Sequence, residues 1–155
     1  MARSNESGAG GAKLFRRGVG KNITRLNTVF PHWDCENFRK YNDRDTALPY
    51  DQREVIALIA PWPVYIASAE QEMGADPEGE FLGAKSADPV YRLLGTEGLP
   101  VEKWPAAKQS VQGRIGYHVR TGGHDVTDFD WAQYLAFVDK HLIQTMNVKS
   151  PGNVK

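Results

Sequence analysis

The chain has 155 residues, 41% hydrophobic and 25% charged, with 19 Lys plus Arg against 19 Asp plus Glu and a formal net charge of zero. That is enough apolar material for one packed domain, and the balance of charge argues against a nucleic-acid partner. No apolar run approaches the roughly 20 residues that cross a bilayer, and the one cysteine, Cys35, excludes a disulfide within the chain and reads as a small buried hydrophobe.

Residues Met1 to Glu6 read as a strand stub, and Ser7 to Gly11 as a glycine-rich loop. Its spacing fits neither GxGxxG nor the P-loop, so an open backbone beside a close neighbour is the better reading. Between residues 3 and 25, Arg3, Lys13, Arg16, Arg17, Lys21 and Arg25 face the single acid Glu6, which reads as a solvated basic face. Lys21 to Phe30 predicts a short helix stopped by Pro31. Residues 33–45 read as an irregular connection, and His32 as a packed structural histidine. Asn5-Glu6-Ser7 and Asn22-Ile23-Thr24 match the glycosylation sequon.

Asp51 with Glu54 forms a capping-box pattern, and the helix it opens turns Val55, Ile56 and Ile59 inward until Pro61-Trp62-Pro63. Val64 to Ser68 then reads as a buried parallel strand. An acidic stretch follows, with Glu70, Glu72, Asp76, Glu78 and Glu80. Such acids can hold a hard cation, but the EF-hand order is missing and helix starts favour acids, so no metal is expected. Asp76 caps the next helix with Pro77 in its first position. That helix is predicted to run to about Ala87, with a separate turn from Asp88-Pro89 to Leu94 closed by Gly95. Residues 95–114 read as loop.

Ile115 to Val119 alternates as a short strand. It leads into Arg120-Thr121-Gly122-Gly123-His124-Asp125-Val126-Thr127, and Asp128 to Met146 predicts a helix with Trp131, Leu135, Val138 and Leu142 on its inner face. His124 therefore stands on a loop between strand and helix, where α/β sheets gather catalytic groups, and a histidine there can move protons near neutral pH. Alternating strands and helices imply an α/β fold with a parallel sheet covered on both faces. Residues 1–146 form the predicted domain and 147–155 a flexible tail. Acids followed by a histidine repeat the second half of the Ser…acid…His order of α/β-hydrolases, but the chain contains no G-x-S-x-G elbow.

Several segments in order resemble the glucuronoyl esterases, the carbohydrate esterase family 15 type, and most closely bacterial members. They are Asn5 to Gly11, Phe30-Pro31-His32-Trp33, Ala57 to Pro61, Ala75-Asp76-Pro77 with Gly79-Glu80-Phe81, Asp88 to Tyr91, and Thr121 to Asp125. The resemblance implies the C-terminal portion of an α/β-hydrolase that cleaves esters between 4-O-methyl-glucuronic acid on xylan and lignin alcohols, secreted or periplasmic, with no cofactor. By the same resemblance His124 is the triad histidine and Glu6 occupies the usual place of the triad acid. Glu72 falls at a second acidic position used by some members. The family's serine elbow has no counterpart in this sequence. Gly74 stands where bacterial members often carry a sugar-contacting tryptophan.

The expected partner is thus a glucuronoxylan or lignin–carbohydrate ester, and the chain alone is expected to be inactive and to associate through an exposed sheet edge. Two alternatives accompany this reading. One is a related esterase of acetylated xylan or other small esters. The other is a non-catalytic fragment that binds acidic carbohydrate through the basic N-terminal stretch and the aromatics near Trp33.

Overall fold

A computed structural model describes residues 1–5 and 11–143. Glu6, the Ser7–Gly10 part of the glycine loop and the predicted tail lie outside the described residues. Four strands form one sheet in the order β1, β2, β4, β3: β1 Ala2–Asn5, β2 Val64–Ala69, β3 Ser110–Gln112 and β4 Ile115–Arg120. β1, β2 and β4 are parallel, with Asn5 opposite Ala67 and Ala69 opposite Arg120. β3 is antiparallel to β4 inside the stretch expected to be loop, so the sheet is mixed. Three residues are too short a run to carry a readable alternation, and β4 supplies the pairing that fixes them.

All six residues of β2 and of β4 are buried, as expected for strands covered on both faces. Alternation divides them. Val64, Ile66, Ile115, Tyr117 and Val119 pack with Phe81, Ala84, Ala87 and Tyr91. Tyr65 and Ala67 pack with Tyr134 and Phe137 on the other face. Gly116 is required there: a Cβ would lie 2.4 Å from the Tyr65 ring and 2.9 Å from that of Phe137.

Helix α1 spans Ile23–Val29 and starts at Asn22, whose side chain accepts from the Arg25 amide. Helix α2, Gln52–Ala57, has the predicted capping box, and Asp51 also accepts the Phe15 and Arg16 amides, pinning the distant 15–17 turn. Of the residues expected to face inward from α2, Ile56 is buried and Ile59 partly so, while Val55 is exposed because one short turn offers the core little more than one residue.

Helix α3 is continuous over Pro77–Leu93, capped by Asp76, and does not break at Ala87. Its buried face, Glu80, Phe81, Ala84, Ala87, Asp88 and Tyr91, runs straight past Pro89. Burial on that face at about 1.5–3 kcal/mol per large apolar side chain outweighs the backbone bond Pro89 lacks. Asp88 fastens the helix by accepting from Leu99 N (2.7 Å) and Arg92 Nε (2.6 Å).

Helix α4 covers Asp128–Val138 and passes into a π turn, Asp139–Ile143. Its inner face is Asp130, Tyr134 and Phe137, not the predicted stripe. Trp131, Leu135 and Leu142 are exposed. Arg3 lies over the Tyr134 and Trp131 rings and helps fix this rotation.

Residues 36–41 and 45–47 form 3₁₀ turns rather than unstructured chain, closing over a satellite core of Phe15, Ile23, Leu26 and Leu48. Here Cys35 and His32 are exposed, against expectation, because the turns pack Phe38 and Tyr41, partly buried, on the satellite core instead. The N-terminal basic stretch is not a solvated face either. Lys13 is buried with its ammonium on Val19 O, and burial pulls its pKa down. Arg17 pairs with Asp76 and Glu78. Arg17 and Lys21 answer acids far along the sequence, the latter Glu72, which local charge counting does not reveal.

Candidate active site

The three parallel strands end together at Asn5, Ala69 and Arg120, and the segments leaving those ends carry the candidate groups. Two backbone bonds join the loop after β2 to the loop after β4: Glu70 N to Arg120 O (2.9 Å) and Gln71 N to Gly122 O (3.1 Å). This brings Glu72 to His124, with Oε2 3.9 Å from Nδ1. The separation suits an ion pair and exceeds a hydrogen bond. The His124 side chain is 71% exposed and that of Glu72 18%, so the imidazole faces solvent above a sheltered carboxylate.

Lys21 shares that carboxylate, its Nζ 3.5 Å from Oε1, and its amide donates to Gly74 O (2.9 Å). Gly74 has a local reason to be small. A Cβ there would come 2.9 Å from Glu72 Oε1 and 3.1 Å from Lys21 Cε, pressing on the ion pair. Gly20, at φ +73°, backs onto Met73 O and Gly74 O and leaves no room for a side chain of its own.

Glu6 lies outside the described residues. Its predecessor Asn5 is held against the histidine loop: Asn5 Nδ2 donates to Asp125 O (3.3 Å), and Tyr134 donates its hydroxyl to Asn5 Oδ1. Trp33 belongs to another part of the fold, stacked on Phe30 at 3.9 Å beside the satellite core and 54% exposed. Among the described residues no cluster of His, Cys, Asp and Glu could hold a metal ion.

A second histidine went unnoticed in the sequence. His118, buried in β4, has Nε2 2.8 Å from Asp130 Oδ1 and Nδ1 2.9 Å from the Tyr65 hydroxyl. A carboxylate only accepts, so Nε2 carries the proton and Nδ1 accepts from Tyr65. Burial holds His118 below the ordinary histidine range despite the neighbouring carboxylate, and raises Tyr65 to about 12. For Asp130, burial alone would raise the carboxyl, but Thr127, His118 and Arg120 together bring it below the usual range. The available signal was Thr127 three residues before Asp130, the N-terminal box of α4, which marks that acid as engaged.

Comparison with known proteins settles the family. A family model described as "Glucuronyl esterase, fungi" matches residues 1–95. The chain belongs to the glucuronyl esterase family. It is 54% identical over 139 residues to carbohydrate esterase MZ0003 from an unknown prokaryotic organism, covering 90% of this chain and 32% of that protein. Among solved structures, a promiscuous CE15 esterase from a marine bacterial metagenome superposes with a TM-score of 0.88 at 54% identity, covering 90% of this chain and 35% of that one. The glucuronoyl esterase from Solibacter usitatus gives 0.85 at 47%, covering 90% and 36%. The chain thus spans about a third of the length of these glucuronyl esterase relatives. Its sheet, with α2 and α3 on one face and α4 on the other, is part of the α/β-hydrolase fold they share.

Proposed function

We propose that this chain carries the histidine and acidic side of a serine-type ester hydrolase acting on 4-O-methyl-glucuronic acid esters, the links between glucuronoxylan and lignin alcohols. The nucleophilic serine is supplied by a segment outside this sequence. The observation that carries the reading is the meeting of His124, Glu72 and the Asn5–Asp125 contact at the C-terminal ends of three parallel strands.

In this mechanism His124 takes the proton of the serine hydroxyl as its oxygen attacks the uronate carbonyl. It returns that proton to the departing alkoxide, then activates water to release the acid. One acid orients the imidazole and stabilises its cation. Glu6 takes that role, since it follows directly on Asn5. Glu72 adds a negative field, because it stands beyond hydrogen-bonding distance and shares its charge with Lys21. Gly74 leaves the floor beside Glu72 open to the sugar, and Trp33 offers a stacking face apart from it. The chain alone is inactive, and its site is secreted or periplasmic; among the described residues no helix is long and apolar enough to cross a membrane.

The serine-bearing part docks along β1. β1 is an outer strand of the described sheet, and beside it a cavity of about 180 Å³ is lined by Ala2, Ala12, Val55, Ile56, Ile59 and Ile66. A joined protein, with this chain fused in frame behind the upstream two-thirds of MZ0003, tests the function. It should hydrolyse a benzyl ester of glucuronic acid in preference to an acetyl ester, and lose that activity in His124→Ala. Activity that survives His124→Ala would reject the reading.

The description of the 54%-identical metagenomic esterase as promiscuous favours a second reading, a broader ester range. Comparable kcat/KM on both esters would establish it. Binding of glucuronoxylan by the unfused chain, with an inactive joined protein, would instead favour a carbohydrate-binding role.

A further inference from the structure

We infer that Arg120 is a positioning residue for His124, clamping both ends of the loop that presents it. The inference rests on the reading of His124 as the base. Arg120 is the last residue of β4 and is 3% exposed. Its guanidinium donates from Nη1 to Thr121 O (3.0 Å) and from Nη2 to Asp125 O (2.5 Å), while Nε faces Asp130 Oδ2 at 3.0 Å. Residues 121–125 therefore begin and end on one planar fork, with His124 between the two anchored carbonyls. Gly122, at φ +96°, wraps the fork so closely that a Cβ would stand 3.3 Å from Nη1.

The fork is itself immobilised. Asp130 accepts from His118 Nε2 (2.8 Å) and from the amide and hydroxyl of Thr127 (both 2.6 Å), and it is 1% exposed. One carboxylate thus ties Arg120 to the strand before the loop and to the helix after it. Burying a guanidinium is costly unless it is paired and hydrogen-bonded, and a merely decorative surface loop does not call for one. A general base, by contrast, must be held within about 0.5 Å of its working position. Lysine cannot replace the arrangement, since a single ammonium on a flexible stem can meet Asp130 but cannot span two carbonyls about the same plane.

The test uses Arg120→Lys, which keeps the buried charge, alongside Arg120→Met. In the full chain, amide hydrogen exchange of Thr121 to Val126 should accelerate at least tenfold in Arg120→Lys while α3 is unchanged. In the joined protein, kcat on the benzyl ester should fall about 100-fold, the scale of a misplaced catalytic group, with KM nearly constant. Unchanged exchange in a folded Arg120→Lys overturns the inference whatever the activity, as does unchanged kcat in a joined protein that still depends on His124. If both variants lose the fold, with α3 exchanging as fast as the loop, Arg120 is structural and the inference also fails. A joined protein that is active yet indifferent to His124→Ala rejects the functional reading instead, and leaves the exchange result to decide the clamp.

Discussion

His118 and His124 lie six residues apart, and each faces a carboxylate. The first pair is tight and dry: 2.8 Å to Asp130, with both side chains almost wholly buried and every ring nitrogen engaged. The second is loose and wet: 3.9 Å to Glu72, with the imidazole 71% exposed. Judged by hydrogen-bond quality alone, His118 and Asp130 would be the catalytic dyad. The proposed function assigns the roles the other way round. A base must reach substrate, and its bonds tighten in the complex, whereas a saturated buried histidine has no face left to offer. On the proposed function, the better-made pair holds the fold and the poorer-made one is left accessible to substrate.

The sharpest way to break this comparison is to exchange the effects of the two sites. In the joined protein, Glu6→Gln should lower kcat by as much as about 10⁴-fold, as when a triad acid is neutralised. Glu72→Gln should cost about tenfold, since it only adds to the field on the imidazolium. Measuring kcat for both variants and the double separates the roles. A crippling Glu72→Gln with a mild Glu6→Gln swaps them, and two mild singles with a dead double mean that either acid serves.

Stability should separate the pairs in the opposite sense. Asp130→Ala takes the paired carboxylate from the buried Arg120 guanidinium and the acceptor from the His118 N–H, and should cost about 3–5 kcal/mol. Glu72→Ala removes a partly exposed pair and should cost under about 1 kcal/mol. Denaturant melts of the two variants check this, and equal losses would mean that the Glu72 site is structural as well.

What could be read in advance follows the range of the forces involved. The Asp51–Glu54 box, the Asp76–Pro77 start, strands β2 and β4 and the place of His124 on the loop between β4 and α4 depend on neighbours in sequence, and these expectations held. The face of α4 did not. Its sequence offers two stripes, and the more aliphatic one, Trp131, Leu135 and Leu142, lies outside. The inner stripe carries Asp130, a charge that looks exposed until its partners on β4 are known. Buried Lys13 misled for the same reason, as did continuity across Pro89, which depends on Tyr91 and Ala87 meeting a sheet they cannot see locally. The clamp made by Arg120 was hidden too, because its acceptors are carbonyls and carbonyls have no residue type.

Protonation gives the finest test of the buried pair. Burial places the folded-state pKa of His118 below its ordinary value near 6.5. Above that pH the ring is neutral whether the chain is folded or not, so stability does not depend on its titration. As pH falls below about 6.5 the unfolded chain takes up a proton that the folded chain refuses, and stability declines until the folded pKa is reached. The groups packed on the ring agree with this sign: Arg120 opposes the extra charge, Tyr65 needs Nδ1 as its acceptor, and only Asp130 favours protonation. His141, also lowered by burial, contributes in the same direction, and Asp130 adds its own loss further down, through the carboxylate range. His118→Gln can keep a donor toward Asp130 and an acceptor toward Tyr65 without titrating. The Tm of the parent should therefore drop between pH 7 and pH 5, and His118→Gln should flatten that part of the curve, leaving the residual slope from His141. A parent-like slope in His118→Gln would overturn the assignment of this buried histidine to acid-sensitive stability.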